Sequence, residues 1–315
     1  MAPSDEFVHT IAVVGATGFV GSAVVDALAA RGARVRAVKA PRIERFPDRA
    51  TDESRDRAIV QRLQAEFIGC SAVVNAAGVS DSGSTNLEIL WGANAALPAL
   101  VAAAAQSAGA RAVHISSAAV QGRKAILDDS DMFDGFSLYA RSKIAGERLA
   151  RLGNKEVTIY RPPGVHGPNR PVTRSVSQLA RSRFSSVASP GTDNAPHSLI
   201  NNVADAVAFL CTSPVAPPKT VTHPPEGLTT AELLRLLGGS RPVLIPRRIA
   251  GLVVALAFGM SRFMPSLASQ ARRLEVLWFG QEQAPSWLTG VGWFPVASKS
   301  EWIRIGERIA NDNQG

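Results

Sequence analysis

Cysteine is almost absent from this chain: Cys70 and Cys211 are the only two among 315 residues. Two thiols cannot build a disulfide framework or a four-thiolate zinc site. Both stand among apolar neighbours, which predicts buried free thiols in a reducing compartment. Glycine (26) and proline (20) are too sparse for a collagen-like or low-complexity chain. The histidines, His9, His114, His166, His197 and His223, show no metal-ligand spacing, so no metal is expected. His114, between Val113 and Ile115, reads as a packed ring in a strand. MAPSDEF is polar and acidic, the wrong chemistry for a signal peptide, so no leader is expected. The apolar stretch Ile249 to Met260 falls short of the about 20 residues that a bilayer span needs. It predicts a buried or interfacial helix, no membrane span and a cytoplasmic location.

What is present is a core and a basic excess. Hydrophobic residues make up 46 % and charged residues 19 %, which excludes wholesale disorder. The length accommodates roughly two domains, or one α/β domain with an appendage. Lys+Arg minus Asp+Glu is 34 − 26 = +8, and the pI of about 10.2 raises the question of nucleic acid. The excess is local. Arg141 to Arg183 holds ten basic residues and two acids, and 10 − 2 equals the whole chain's +8. Such clustering suits small anionic ligands better than a nucleic-acid coat, so no nucleic-acid partner is expected.

Strand-like and helix-like segments alternate. TIAVV (Thr10–Val14), ARVRAVK (Ala33–Lys39), SAVVN (Ser71–Asn75), ARAVHIS (Ala110–Ser116) and VTIY (Val157–Tyr160) read as buried strands. Helical patterns cover about 19–31, 52–67, 86–107 and 139–152. The alternation predicts a doubly wound α/β fold with a parallel sheet, Rossmann-type. Beyond Arg161 the pattern changes: helices are expected at 172–184 and 202–210, a Pro-rich connection at 214–225, and a helix at 230–237. Residues 1–168 are expected to form the dinucleotide-binding domain and 169–315 a smaller substrate-binding α/β region. A segment near 198–213 returns to the first domain.

The first strand runs directly into GATGFVG. Gly15, Gly18 and Gly21 between strand and helix let backbone approach a pyrophosphate, and the helix N-terminus adds amide donors. Thr17, Phe19 and Val20 belong to the same turn. NAD sites place an acid near the end of the second strand; here stand Arg36, Lys39 and Arg42, with no acid before Glu44. A cation there attracts a 2′-phosphate, so Lys39 and Arg42 favour NADP over NAD. The competing reading is that both are solvated loop residues.

Tyr139-Ala-Arg-Ser-Lys143 puts a phenol and an ammonium on one helix face at i, i+4. An ammonium beside a phenol lowers its pKa, which makes Tyr139 a general acid/base. Ser116 and Ser117 close the preceding strand, where a parallel sheet meets its ligands.

Taken in order, these segments resemble the extended short-chain dehydrogenase/reductase family of NAD(P)-dependent sugar epimerases, dehydratases and reductases. Asn75-Ala76-Ala77-Gly78 resembles the family's cofactor-lining fourth-strand motif, and Asn94 its helix asparagine. SSAAVQG (Ser116–Gly122) resembles SSxxVYG and assigns Ser117 as catalytic serine beside Tyr139 and Lys143. RPPGVHGP resembles the turn behind the nicotinamide, with Arg161, Pro162, Gly164 and Val165 as cofactor contacts. SLINNVADA (198–206) resembles the re-entrant segment, and GWFP (292–295) the usual C-terminal motif. The resemblance implies substrate contacts from Ser117, Ala118, Gln121, His166 and His197. Arg174 and Arg181 share a helix face and could bind a diphosphate; a solvated basic face is the plain alternative. Gln121 and His166 replace family tyrosines. Ala118-Ala119 replace the Asp-Glu of sugar dehydratases, which argues against dehydration.

The nearest branch by resemblance is bacterial UDP-hexose 4-epimerases and 4-keto-sugar reductases of surface-polysaccharide synthesis. That implies hydride transfer at a secondary alcohol or ketone, carbon 4 of a nucleotide-activated sugar. Epimerase and reductase stay open. So do a reductase of a non-sugar ketone or aldehyde, and a non-catalytic NADP sensor. The Ala-rich 86–107 helix permits a homodimer. Trp287, Trp293 and Trp302 read as core.

Overall fold

The computed structural model describes residues 9–46, 52–80, 86–261, 263–264 and 266–312. Between Pro41 and Thr51 the sequence is irregular and shows no clear third strand, and residues 47–51 of that stretch lie outside the described residues. β1 (Thr10–Val14), β2 (Arg34–Val38), β3 (Ala72–Asn75) and β4 (Arg111–Ile115) alternate with α1 (Phe19–Ala30), α2 (Glu53–Phe67), α3 (Leu87–Trp91) and α4 (Leu97–Ser107). The short β5 (Ile126–Leu127), α5 (Leu138–Gly153), β6 (Thr158–Arg161) and β7 (Gly164–His166) follow. Then come α6 (Pro171–Arg181), β8 (Ser186–Ala188), β9 (His197–Leu199), α7 (Ile200–Thr212) and β10 (Thr220–Thr222). The last third holds α8 (Thr230–Gly238), β11 (Val243–Ile245), α9 (Arg247–Ser261), α10 (Ser266–Phe279), β12 (Glu282–Gln283), α11 (Trp287–Gly290) and α12 (Lys299–Asp312).

The main sheet is parallel throughout, in the order β2-β1-β3-β4-β6-β10. Its inner strands are covered on both faces, which is why they read as unbroken apolar runs. β1 sends Ile11 and Val13 toward α1 and α7, against Val24, Leu28, Val203 and Val207. Ala12 and Val14 point the other way, against Leu63, Phe67, Val101 and Ala105 of α2 and α4. Tyr160 and Trp293 close the first cluster. The outer strand β10 comes from the Pro-rich connection, where the sequence shows no strand; only three residues pair, alongside β6.

α3 continues through a π-helical turn, Gly92–Ala96, into α4. The resulting Leu87–Ser107 helix has 21 residues and a mean hydropathy of 1.5, long and apolar enough by composition to cross a bilayer. It is a longer apolar stretch than Ile249–Met260. Here it is a core helix, with Ala104 and Ala105 fully buried under the sheet.

The smaller lobe gathers α6, α8 and α12 around Leu233, Leu237, Trp302 and Ile305. α8 opens on a capping box, Thr229 with Glu232, and closes on Gly239 at φ +82°. β8 and β11 pair in parallel beside it, and β11 leads into the α9–α10 hairpin. α7 leaves this lobe and packs on α1 of the first. The helix near Ile249, expected to be buried or interfacial, buries one side only: Ala250 and Val254 face inward, while Ile249, Leu252 and Leu256 are exposed.

Candidate active site

The turn after β1 is shaped for backbone to meet a ligand. Gly15 has φ +83°, and a Cβ there would stand 2.8 Å from the Ala77 backbone. A Cβ on Gly21 would collide with the Gly15 carbonyl at 2.0 Å. Gly18 is the N-cap of α1 and offers no side-chain cap, so the first amides of the helix stay open to an anion. The Gly15 amide reaches the Val38 carbonyl at 3.3 Å, which sets the turn against the end of β2. Lys39 follows there, exposed. Arg42 is also exposed and stands 3.4 Å from Glu44. Arg36 is spent elsewhere, donating to the Glu66 and Ile68 carbonyls. Thr17 and Gly18 are exposed, and Phe19 and Val20 half-buried. These residues fit a dinucleotide pyrophosphate.

At the ends of β3 and β4 the reactive side chains converge. Lys143 is buried, and its ammonium donates to the Ile115 carbonyl at 3.2 Å. A Cβ on Gly78 would come 3.4 Å from Lys143 Nζ and 2.8 Å from Asn94 Oδ1, so only glycine leaves room at this corner. Asn94, in the π turn, accepts from the Val79 amide at 2.9 Å and donates to the Val79 carbonyl at 3.0 Å and to Ser142 at 3.1 Å. It ties the loop after β3 to the catalytic helix. Asn75 plays a similar part, with Ala77 N donating to it at 3.2 Å and the His114 ring 3.2 Å away. Burial holds His114 well below the usual histidine range, so its ring is neutral. Ala76 continues the β-pairing through the Val14 carbonyl.

The Ser117 hydroxyl acts on the Tyr139 phenol and accepts from the Ala119 amide at 3.2 Å. Burial raises the Tyr139 pKa above the ordinary phenol value, opposed by Ser117 and then by the charge of Arg170. Arg170, which the sequence did not single out, is a cation whose charge acts on the Tyr139 phenol. Lys143 itself is pushed down to about 8 by burial, with Glu147 pulling it back up. Arg170 lies over the Phe19 ring at 4.9 Å, joining the glycine turn to the phenol. Burial lowers the Arg170 pKa, and the charge of Arg273 on α10 adds to that. Residue spacing could not have singled out Arg170; it stands two residues past the RPPGVHGP turn.

Below the reactive groups lies a buried ionic network. Ser116 donates to Glu147 at 2.5 Å, and Arg161 meets the same carboxylate at 2.6 Å, both ions being fully buried. Arg161 also reaches the Ser130 carbonyl at 2.7 Å and Asp131 at 3.2 Å. Ser116 and Arg161, expected beside the cofactor, thus turn inward to Glu147. Glu147 lies one helical turn past Lys143, and only the fold shows its role. The Pro162 carbonyl accepts from the Ala118 amide at 2.9 Å, so the turn after β6 braces the serine loop. Gly164 is exposed in that turn, and Val165 is core.

The expected substrate residues fall into three groups. Ser117 and Ala118 stand at the site. Gln121 is buried and bound on both sides of its amide by Asp128 and Ser130, so it staples a loop. His166 and His197 meet ring to ring at 2.9 Å, and Thr173 holds His166 at 3.1 Å. Burial keeps both neutral, His197 at about 4, and His197 Nε2 is buried without a partner. Arg174 and Arg181 turn to α12: Arg174 is 3.7 Å from Asp312, and Arg181 donates to the Gly306 carbonyl at 2.8 Å. They do not converge as a diphosphate clamp. The basic cluster of 141–183 is largely spent this way, Arg151 on Asp131 and Arg161 on Glu147; Lys143 and Arg170 are the cations placed at the phenol's site.

A parallel sheet whose first strand ends on this glycine turn, with serine, tyrosine and lysine meeting at the strand ends, defines a Rossmann-type, NAD(P)-dependent oxidoreductase of the short-chain dehydrogenase/reductase class. The chain belongs to the NAD dependent epimerase/dehydratase family, whose profile matches residues 11–221. It is similar to a ceramide reductase of Caulobacter vibrioides, 29 % identical over 264 residues, covering 78 % of this chain and 75 % of that protein. Among solved structures it is similar to the dTDP-4-dehydrorhamnose reductase of Bacillus anthracis in complex with NADP, at TM-score 0.64 and 15 % identity, covering 97 % and 99 % of the two chains. A human epimerase family protein with NADPH superimposes at TM-score 0.66 and 21 % identity, covering 95 % and 99 %. Those two likenesses show the fold.

Proposed function

We propose that the chain is an NADPH-dependent reductase of a ketone carried by a long-chain lipid of the ceramide class. A single observation carries the substrate side. An open groove of about 740 Å³ lies between α9 and α10, lined by Val254, Ala255, Phe258, Ser261 and Phe279 and separate from Ser117 and Tyr139. Arg123, six residues past Ser117, also lines it, paired with Glu275 at 2.6 Å and stacked on Phe258 at 4.5 Å. Apolar walls with one ion pair suit an acyl chain with a polar head. The Caulobacter ceramide reductase supports the same class. The nucleotide-sugar reading, with transfer at carbon 4, rests on a fold shared with dTDP-4-dehydrorhamnose reductase, while Arg174 and Arg181 face away. NADPH is favoured by Lys39 and Arg42 at the end of β2, where no carboxylate precedes Glu44.

Gly15, Gly18 and the first turn of α1 would hold the pyrophosphate, and the nicotinamide supplies the hydride when bound. The remaining work falls to side chains. Ser117 and Tyr139 hydroxyls donate to the ketone oxygen. Burial keeps the Tyr139 phenol protonated, so it is armed to give its proton as the alcohol forms. The Lys143 and Arg170 cations then stabilise the phenolate left behind. NADPH oxidation tests this, with a ceramide-class ketone in micelles and dTDP-4-dehydrorhamnose as rival substrates. The lipid ketone is expected to turn over, and Tyr139→Phe to lower its kcat about 10³-fold with NADPH binding kept. Turnover of the keto sugar alone, or an unaffected Tyr139→Phe, overturns the reading.

A further inference from the structure

We infer that the outer face of α9 is a docking surface for an anionic lipid bilayer. From Ile249 to Met260 α9 is apolar all round, yet only one side is covered. Ala250 and Val254 pack inward against Trp278 and Ala188, while Ile249, Leu252, Val253, Leu256 and Met260 form an exposed stripe at i, i+3, i+4, i+7 and i+11. Leu252 is 62 % exposed, and Phe263, just beyond the helix, 88 %. Val243 and Leu244, on the strand that leads into α9, are exposed as well. A helix in contact with water normally presents a polar face there, and a contiguous apolar patch of this extent marks an interaction surface.

Charge names the occupant. From Leu233 to Leu274, 42 residues, the chain carries seven arginines (235, 241, 247, 248, 262, 272, 273) and no Asp or Glu. Two of these are neutralised from outside the segment, Arg247 by Asp193 and Arg272 by Glu275. Arg241 and Arg248 are exposed, flanking the start of the apolar stripe. An apolar stripe bordered by arginines, with acids missing from the surrounding sequence, complements anionic headgroups over acyl chains. Balanced charge outside Arg141–Arg183 thus conceals a second basic segment. At 15 residues α9 is about 22 Å long, so it lies in the interface and does not span it. Val254 and Phe258 of α9 line the α9–α10 groove, while the exposed stripe would meet the bilayer. This docking does not depend on the lipid-ketone reading.

The test is co-sedimentation of the full-length protein with vesicles of phosphatidylcholine alone or with added phosphatidylglycerol. The protein is expected to pellet with the anionic vesicles, less so at high salt. The double variant L252E/L256E should lower binding at least about tenfold, and R241Q and R248Q about fivefold each. Thermal midpoint and NADPH binding serve as controls, because Leu252 and Leu256 touch neither the core nor the cofactor turn, and both should be unchanged. A wild-type protein that ignores anionic vesicles overturns the inference, as does a double variant that binds them equally well. A dimer in light scattering that L252E/L256E dissociates, with no vesicle binding, would instead assign the face to a second copy of this chain. Failure of the lipid ketone as substrate would leave the vesicle result standing.

Discussion

Helix α5, which carries Tyr139 and Lys143, and the hairpin helix α9 break the ordinary rule of burial in opposite directions. α5 hides charge: Lys143 and Glu147 are buried, and each has a partner at hydrogen-bond distance. α9 shows grease: Leu252, Leu256 and Met260 face water. Buried ions are tolerated in α5 because Arg161, Ser116 and the Ile115 carbonyl satisfy them, and the arrangement fixes where the lysine stands. Exposed leucines are tolerated in α9 because the helix needs only its inner side to hold its place. One region spends stability on geometry; the other leaves apolar area available for a partner.

Substitutions can break this contrast. The largest effect is expected from Glu147→Ala, which strands the Arg161 guanidinium in the core. Chemical denaturation should show a loss of about 3–5 kcal/mol. A loss under about 1 kcal/mol would mean that the network is not holding the fold. A mid-sized effect concerns pH. Tyr139 keeps its proton above the ordinary phenol range, so Lys143, at about 8, is the first of the two to titrate as pH rises. Its ammonium is present below that value and lost above it. Reduction should therefore fall about tenfold per pH unit once above pH 8, about 1.4 kcal/mol for each unit. Glu147 raises the Lys143 pKa, so Glu147→Gln should move the falling limb to lower pH. A flat profile to pH 10 would remove Lys143 from the chemistry. The smallest effect is expected from Leu252→Ala, which should change stability in water by less than about 0.5 kcal/mol, as for any exposed site. A loss near that of a core leucine would show that the face is covered in solution.

Much of the first lobe is legible in the chain. The run into GATGFVG, the alternation of strands with helices, and the order of Ser117, Tyr139 and Lys143 each depend on local periodicity or on contacts between near neighbours. What escaped depends on distant partners. β10 pairs through three residues inside a Pro-rich connection, so no pattern announces it. Arg174 and Arg181 share a helix face as expected, but the face meets α12, more than a hundred residues later. Gln121, read as a ligand contact, closes on Asp128 and Ser130.

By itself the sequence determined the class of fold and the glycine turn and set Tyr139 and Lys143 on one helix face, because strand and helix periods and the i, i+4 spacing are properties of local backbone geometry. The tertiary structure alone decided that Arg170 reaches the phenol, which arginines are spent on internal partners, and which side of α9 stays bare. Those outcomes turn on desolvation and on partners from other elements, and neither is encoded within a single segment.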